Sequence, residues 1–111
     1  MLNNCQFIGN LGSQPEVRYT ASGDTVARFS IACNEKWTDK QGEKQERTEW
    51  VNCTTFGKLA DICGQYLKKG SLVYVAGKMK TNKYQDKQTG QDRYSTEINV
   101  REMKMLGASG S

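Results

Sequence analysis

The sequence predicts an all-β domain with one short helix, and three observations lead to this class. Apolar and polar residues alternate in five segments, which is typical of half-buried strands. One further segment, between the third and fourth strands, repeats its apolar residues at helical spacing. The chain has 111 residues, 36% of them hydrophobic, which fits a single small core. We therefore expect a five-stranded barrel with a helix between strands three and four.

The first three strands precede the helix. We predict them over residues 3–11, 25–35 and 46–56. In the first two strands, the alternating residues that we expect to face the core are Cys5, Phe7, Leu11, Ala27, Phe29, Ile31 and Cys33. In the third strand Val51 and Cys53 form the predicted core face, so the opposite parity leaves Trp50, Asn52, Thr54 and Phe56 facing solvent. Two large aromatic side chains on a solvent face need an explanation.

The helix is predicted over residues 58–69. Its apolar face consists of Leu59, Ile62, Cys63, Tyr66 and Leu67, and Gly70 stands where a C-terminal cap is expected. Two strands follow, over residues 71–80 and 93–100, with core positions at Val73, Val75, Met79, Tyr94, Ile98 and Val100. The polar tip at residues 85–92 is too long for a tight turn and should project from the barrel. This order matches the OB-fold, a five-stranded Greek-key barrel that binds oligonucleotides on one face.

Composition excludes several function classes. The sequence contains no histidine, and its four cysteines form no closely spaced pair, so we expect no catalytic site, no metal and no cofactor. We expect the cysteines to be small buried side chains, with a four-cysteine zinc site or two disulfides as the alternatives that their spacing leaves open. No apolar run approaches the roughly 20 residues of a membrane span, and no secretory signal is visible. We expect a cytoplasmic protein. The net charge of +4 favours polyanionic partners only weakly, because many ordinary surfaces carry as much.

Four aromatic residues are candidates for a binding surface. Trp50 and Phe56 share the solvent face of strand three, Trp37 follows strand two, and Tyr84 stands at the base of the projecting hairpin. Cations flank all four, at Lys36, Lys40, Arg47, Lys58, Lys80 and Lys83. Aromatic planes that stack on bases, with cations along the phosphate path, are what sequence-independent binding of a single nucleic-acid strand requires. Exposed aromatics also mark protein interfaces, so an OB-fold interaction scaffold remains an alternative on the residues alone.

Several sequence blocks resemble the bacterial single-stranded DNA-binding protein family. These blocks are GNLG at residues 9–12, PEVRY at 15–19, TEW at 48–50, FGKLA at 56–60, YLKKGS at 66–71 and GQDRY at 90–94. They occur in the family's order and at matching intervals across nearly the whole chain. The resemblance implies an OB-fold homo-oligomer, a tetramer, in the bacterial cytoplasm or nucleoid. It would bind single-stranded DNA during replication, recombination and repair, and would not be an enzyme.

The resemblance also assigns roles to individual residues. Stacking aromatics fall on Trp37, Trp50, Phe56 and Tyr84, the last a tyrosine where close relatives have tryptophan. Phosphate contacts fall on Lys40, Lys58, Lys69, Lys80, Lys83 and Arg93, and Arg18 is a weaker candidate that has a structural role as its alternative. Leu72 and Ala76 occupy outward positions where close relatives tend to be polar, which favours an apolar subunit contact.

The expected domain covers residues 1–106, with 107–111 as a flexible remnant or the start of a linker. The family continues into a Gly/Gln/Pro-rich linker and an acidic tip that recruits genome-maintenance proteins. This sequence stops at residue 111 without them, so the resemblance does not carry that recruitment over. A truncated core and a protein without this function are both compatible with the sequence.

Overall fold

The computed structural model describes residues 3–107 and contains the five predicted strands, the helix and one further short strand. In chain order the elements are β1 (Cys5–Leu11), β2 (Glu16–Tyr19), β3 (Thr25–Thr38), β4 (Lys44–Phe56), α1 (Gly57–Tyr66), β5 (Leu72–Gln85) and β6 (Asp92–Gly107). The predicted all-β class with one helix is confirmed. The sequence pattern does not reveal β2, because its four residues are all exposed and so produce no alternation of burial.

Five strands close into a barrel in the order β1, β5, β6, β4, β3 and back to β1, and β2 adds to the free edge of β3. Most neighbours are antiparallel, but β4 and β6 run parallel and pair at Cys53 with Ile98 and at Thr54 with Asn99. The β1–β3 closure is equally short, through Asn10 with Ala32 and Leu11 with Ile31. Two long hairpins are therefore joined at short seams.

Both hairpins extend beyond the strand limits predicted from sequence. β3 and β4 stay paired out to Thr38 and Lys44, and β5 and β6 out to Gln85 and Asp92. Side chains in these outer parts are exposed on both faces, so the alternation that marks a half-buried strand fades before the pairing ends. The tip between β5 and β6 lies where it was predicted, after Gln85 and before Asp92.

The core fills the barrel and the space beneath α1. Its buried members are Leu11, Ala27, Phe29, Ile31, Cys53, Ala60, Cys63, Leu67, Val73, Val75, Ile98 and Val100, with Phe7 among the partly buried residues packed against them. The strand residues among them are all predicted inward positions, Cys63 and Leu67 belong to the predicted apolar face of the helix, and Ala60 was not predicted. Burial raises the pKa of the Cys53 thiol to about 12, and burial likewise raises the pKa of Cys63. Both thiols are free and behave as small hydrophobic side chains rather than nucleophiles.

Apart from the outward strip of β5, four positions differ from the predicted side-chain pattern. Met79 and Tyr94, predicted in the core, are exposed, because they lie where the β5–β6 hairpin leaves the barrel. Tyr66, predicted on the buried face of the helix, is also exposed at its last residue. Thr54, predicted on the solvent face, is buried, since its hydroxyl donates to Glu97 across the β4–β6 seam.

The helix is shorter than predicted and ends without a glycine cap. Its last residue is Tyr66, and Leu67 is an extended C-cap residue whose N–H donates to the Cys63 carbonyl. Gly70 instead has φ +91° in a turn closed by the Ser71 N–H donating to the Lys68 carbonyl. That turn is tied to β1, because the Gly70 N–H donates to the Leu11 carbonyl. The helix of residues 3–107 is too short to cross a membrane.

The predicted outward strip of β5 is partly correct. Leu72 and Tyr74 are half-buried, whereas Ala76 is nearly covered at the irregularity that shifts the β5–β6 register between Ala76 and Gly77. At the other end of the chain β6 includes Gly107, and residues 108–111 lie outside the described part. The predicted domain boundary at residue 106 therefore stays a prediction.

We expect Gly77→Ala to destabilise the barrel. A Cβ at this position would collide with the Asn99 carbonyl and the Val100 backbone, and overpacking of this kind costs about 1–3 kcal/mol or more. Urea unfolding followed by circular dichroism measures the loss. Gly107→Ala is the matched control, because nothing lies within 4 Å of a Cβ there. Equal stability of the two variants would contradict the close approach.

Candidate nucleic-acid interface

One side of the β3–β4–β6–β5 sheet carries five of the ten predicted binding residues: Trp50, Phe56, Lys80, Tyr84 and Arg93. Alternation places Cys53 and Ile98 in the core, so the neighbouring positions point away from it. We call this side the outer face and define it by Arg28, Ser30, Ala32, Trp50, Asn52, Thr54, Phe56, Lys80, Asn82, Tyr84, Arg93, Ser95 and Glu97. The unshifted pairing of β3 with β4 fixes the order of side chains along this face.

The indole ring of Trp50 packs against the backbone of Gly12. Trp50 lies opposite Ala32 in the β3–β4 register, and its side chain is 59% exposed. A Cβ on Gly12 would lie 2.5 Å from the Cζ3 atom of the indole and 2.9 Å from Cη2. The ring therefore rests on bare backbone just beyond β1. Gly12 itself is fixed by its N–H, which donates to the Ser30 carbonyl.

Phe56 and Tyr84 lie at two ends of the outer face. Phe56 is the last residue of β4 and the N-cap residue of α1, and its side chain is 52% exposed. Tyr84 lies near the end of β5 opposite Arg93, and it is 54% exposed. A phenyl or phenol ring this exposed has a free face for another flat ring. Trp50, Phe56 and Tyr84 thus share one side of the sheet.

Trp37 lies on the other side. It pairs with Gln45, and its position on β3 has the parity of the core residues Phe29 and Ile31, so the register turns it away from Trp50. Its indole is 46% exposed, because the hairpin has left the barrel there. A groove of about 450 Å³ adjoins it, lined by Lys36, Trp37, Thr38, Lys44, Gln45 and Glu46. The β3–β4 hairpin therefore presents an aromatic side chain on each side.

A second groove, of about 380 Å³, runs along the outer face. We call it the outer groove; its lining is Ser13, Gln14, Glu16, Arg28, Phe29, Ser30, Asn52, Cys53, Thr54, Ser95, Thr96 and Glu97. It is mainly polar, and Asn52 accepts a hydrogen bond from the Ser30 hydroxyl at 2.8 Å. The polar parity of β3 is the sequence signal for Arg28 and Ser30. Nothing in the local sequence indicates Ser95 or Glu97, because only the β4–β6 pairing brings them here.

The carboxylate of Glu97 joins three strands. It accepts from the Thr54 hydroxyl at 2.7 Å and from the Asn82 amide at 3.1 Å. These bonds link β4, β5 and β6 beside the short parallel seam. An acidic group in the groove also repels other anions, so neutral groups fit this part of the groove better than phosphates do.

The six predicted phosphate-binding cations are all exposed, but the free protein already uses some of them. Lys83 pairs with Asp92 at 3.1 Å, and Arg93 pairs with Asp86 at 3.5 Å. Within residues 3–107, Lys40, Lys58 and Lys80 form no ion pair, and Lys69 lies in the turn after the helix. Exposed ion pairs are worth at most about 1 kcal/mol, so Lys83 and Arg93 can exchange their carboxylates for another anion.

Arg18, the weaker candidate, is engaged along its own strand. Its guanidinium donates to Glu16 from Nε at 2.7 Å and forms an ion pair with the same carboxylate through Nη2. The turn between β3 and β4, which holds Lys40, is built around Asp39. Its carboxylate accepts from the Gln45 amide at 3.0 Å and from the Gln41 and Glu43 N–H groups at 2.9 Å. The Gln45 bond is the main reason that the pKa of Asp39 is lowered.

Together, a five-stranded OB barrel and an outer face with exposed aromatics define an oligonucleotide-binding class of domain. The chain belongs to the single-strand binding protein family, whose model matches residues 2–106.

Two similar proteins illustrate the family. Single-stranded DNA-binding protein 1 of Chlorobaculum tepidum is 50% identical over 110 residues, which are 99% of this chain and 68% of that protein. The solved structure of Plasmodium falciparum SSB in complex with ssDNA has 32% sequence identity and a TM-score of 0.90, and the match covers 96% of this chain and 97% of that one. The OB-fold prediction is confirmed.

We expect Gly12→Ala to displace the Trp50 ring, because the new methyl group would occupy the position of the indole edge. In a Trp37→Phe background, Trp50 is the remaining tryptophan. Its emission maximum and its quenching by acrylamide should therefore both change. Ser13→Ala, one residue further along, is the control. An unchanged Trp50 signal in Gly12→Ala would show that the ring does not rest on this backbone.

Proposed function

We propose that this protein binds single-stranded DNA without reading its sequence, by stacking bases on aromatic side chains and contacting phosphates with lysine and arginine. The observation that carries the proposal is the pair Trp50 and Phe56. Both are more than half exposed on one side of the sheet, beside a polar groove. Burying them in the fold would gain about 1.5–3 kcal/mol for a side chain such as Phe, so their exposure points to a ligand.

The charges favour different positions for the bases and for the phosphates of a bound strand. Bases lie along the part of the outer face around Glu97, which repels phosphate, and the phosphates lie toward the cations at its margins and beyond it: Lys40, Lys58, Lys69, Lys80, Lys83 and Arg93. Trp37 and Trp50 lie on opposite sides of the hairpin. A strand that contacts both must therefore cross an edge of the β3–β4 hairpin rather than follow one flat surface.

Coating of exposed single strands is the role we propose, in DNA replication, recombination and repair in the bacterial cytoplasm or nucleoid. This role needs no cofactor and no catalysis. The name of the Chlorobaculum tepidum relative and the ssDNA in the Plasmodium falciparum complex support it. An OB-fold interaction scaffold is the alternative, since exposed aromatic residues also suit protein partners.

One titration distinguishes a protein that binds single-stranded DNA from an interaction scaffold and from a nuclease. Oligothymidylate added to the protein should quench the fluorescence of Trp37 and Trp50 strongly, duplex DNA should compete weakly, and the oligonucleotide should keep its length. A scaffold would give no quenching, and a nuclease would shorten the strand. Either outcome would overturn the proposal.

Stacking and charge should respond differently to mutation. Trp50→Ala should lower affinity by about 1–3 kcal/mol, a range that comes from a general rule for this class of protein, with little change in salt dependence. Lys80→Ala should lower the slope of log affinity against log salt by about 0.7, because one phosphate contact is lost. Lys80 suits this test better than Lys83, which also balances Asp92.

Binding isotherms at several salt concentrations measure both effects, and thermal unfolding verifies that each variant folds. If folded Trp50→Ala bound DNA normally, the aromatic side chain would not be part of the interface.

We also propose that the protein is a homo-oligomer, a tetramer. The side of the sheet formed by β1, β5 and β6 exposes Ile8 opposite Tyr74, with Leu72 half-buried beside them. An exposed apolar strip of this kind suits a symmetric contact. The strip lies on strands whose other face packs into the core, and none of its residues lines the outer groove.

Sedimentation at micromolar concentration should show an oligomer. Ile8→Glu should shift it toward smaller species, because a carboxylate would be buried in the contact. Tyr19→Glu, an equally drastic change at an exposed residue of β2, should leave the distribution unchanged. A wild-type monomer would contradict the proposal.

A further inference from the structure

Two grooves on the outer face meet at one arginine that the family resemblance does not assign. The first is the outer groove. The second has a volume of about 220 Å³ and is lined by Glu16, Arg18, Tyr19, Thr20, Val26 and Arg28; we call it the β2 groove. Arg28 and Glu16 line both. The side chain of Arg28 therefore stands where one groove continues into the other.

The register places Arg28 between the two stacking residues. It lies opposite Thr54, one row of outward side chains from the Val26–Phe56 pair and two rows from the Ala32–Trp50 pair. Antiparallel strands rise about 3.4 Å per residue, so these rows lie about 7 Å and about 14 Å away. Arg28 is thus within side-chain reach of a backbone whose bases stack on Phe56 and Trp50.

The charge of Arg28 is available. Within residues 3–107 its guanidinium forms no ion pair, although Glu16 is its cross-strand partner. Glu16 is occupied instead by Arg18, which donates to it from Nε at 2.7 Å. The local pairing therefore neutralises Arg18, whereas Arg28, the other cation that lines these two grooves, keeps a guanidinium without an ion pair in the described part of the chain.

The β2 groove offers a continuation for a bound strand. β2 extends the outer face, because Arg18 pairs with Val26 and Val26 pairs with Phe56. The row from Phe56 through Val26 to Arg18 begins with an aromatic ring, is apolar in its middle and ends at a guanidinium that Glu16 pairs in the free protein. An aromatic ring with arginines beside it suits a base and the phosphate next to it.

We infer that Arg28 binds a DNA phosphate at the junction of the two grooves, so that the bound strand continues past Phe56 onto β2. This inference rests on the proposed single-stranded DNA binding. It adds to the interface a contact and a direction that the lysines of the loops and hairpins do not supply.

The first test compares two arginines without ion pairs. Arg28→Ala should lower the salt slope of oligothymidylate binding by about 0.7, and the affinity by about threefold at 0.2 M salt, because one phosphate contact is lost. Arg28→Lys should keep the slope. Arg101→Ala is the matched control, since Arg101 lines a separate groove with Tyr74 and Gln6 that shares no residue with the outer groove or the β2 groove. Arg28 is exposed, so the variants should fold, which thermal unfolding verifies.

The second test frees the other arginine. Glu16→Gln should steepen the salt slope and raise affinity, because Arg18 is then released toward a strand passing along β2. Glu102→Gln is the control, since Glu102 also pairs with a cation two residues along its strand, Lys104, but on the β1–β5–β6 side. Sedimentation verifies that the controls keep the wild-type assembly.

The outcomes distinguish a failure of the proposed function from a failure of the inference about Arg28. If wild-type protein shows no quenching by oligothymidylate, the proposed function itself fails. If wild-type binding is normal and Arg28→Ala matches Arg101→Ala, Arg28 does not contact DNA and this inference is wrong. If Arg28→Ala behaves as expected but Glu16→Gln matches Glu102→Gln, the strand does not continue onto β2, and that part is overturned.

Discussion

Closure of the barrel between β4 and β6 is the constraint on which the arrangement of the outer face depends. Within residues 3–107 the two strands pair at Cys53 with Ile98 and at Thr54 with Asn99. Every other long-range pairing belongs to a hairpin or to β1. The seam therefore sets how the β3–β4 hairpin, with its tryptophans, is oriented against the β5–β6 hairpin, with Tyr84 and Lys80. The Thr54–Glu97–Asn82 hydrogen bonds reinforce the seam from outside.

The seam also explains why one face can be both polar and aromatic. On the inner side Cys53 and Ile98 are almost fully buried, so the core supplies the apolar packing that holds the strands together. The outer side therefore does not need to supply this apolar packing. It can expose Trp50 and Phe56 and retain Glu97 and Arg28 without loss of core packing, since side chains of opposite parity contribute to opposite faces.

The sequence predicts the fold well where alternation accompanies burial. Phe29, Ile31, Val75 and Ile98 were all placed inward by parity, and all are buried. The prediction fails where pairing continues without burial, as at Tyr94 and Met79 beyond the barrel. It also fails at Thr54, because a hydroxyl that is buried by a partner 43 residues away leaves no local signal. The short strand β2 depends in the same way on its pairing with β3.

For the candidate site, the sequence predicts individual residues but not how they lie relative to one another. Trp50, Phe56 and Tyr84 share a face, as parity along each strand allows. Flanking cations and the family resemblance group Trp37 with them, yet the β3–β4 register turns it to the opposite side. The sequence shows Lys83 and Arg93 as cations but not their partners, because Asp92 lies on the facing strand and Asp86 in the turn. Alternation along β3 marks Arg28 only as a polar residue between two core positions.

The outer part of the β3–β4 hairpin is a two-stranded ribbon with water on both sides. From Asn34 to Thr38 on β3, the main chain bonds to β4 alone, and isolated two-stranded ribbons are marginally stable. The pair of Arg47 with Glu35 and the turn around Asp39 are its main supports. Amide hydrogens there should exchange with solvent far faster than those of the barrel. Trp37 thus lies on a segment that should open more readily than the barrel, whereas Trp50 lies opposite Ala32, where β3 also pairs with β1.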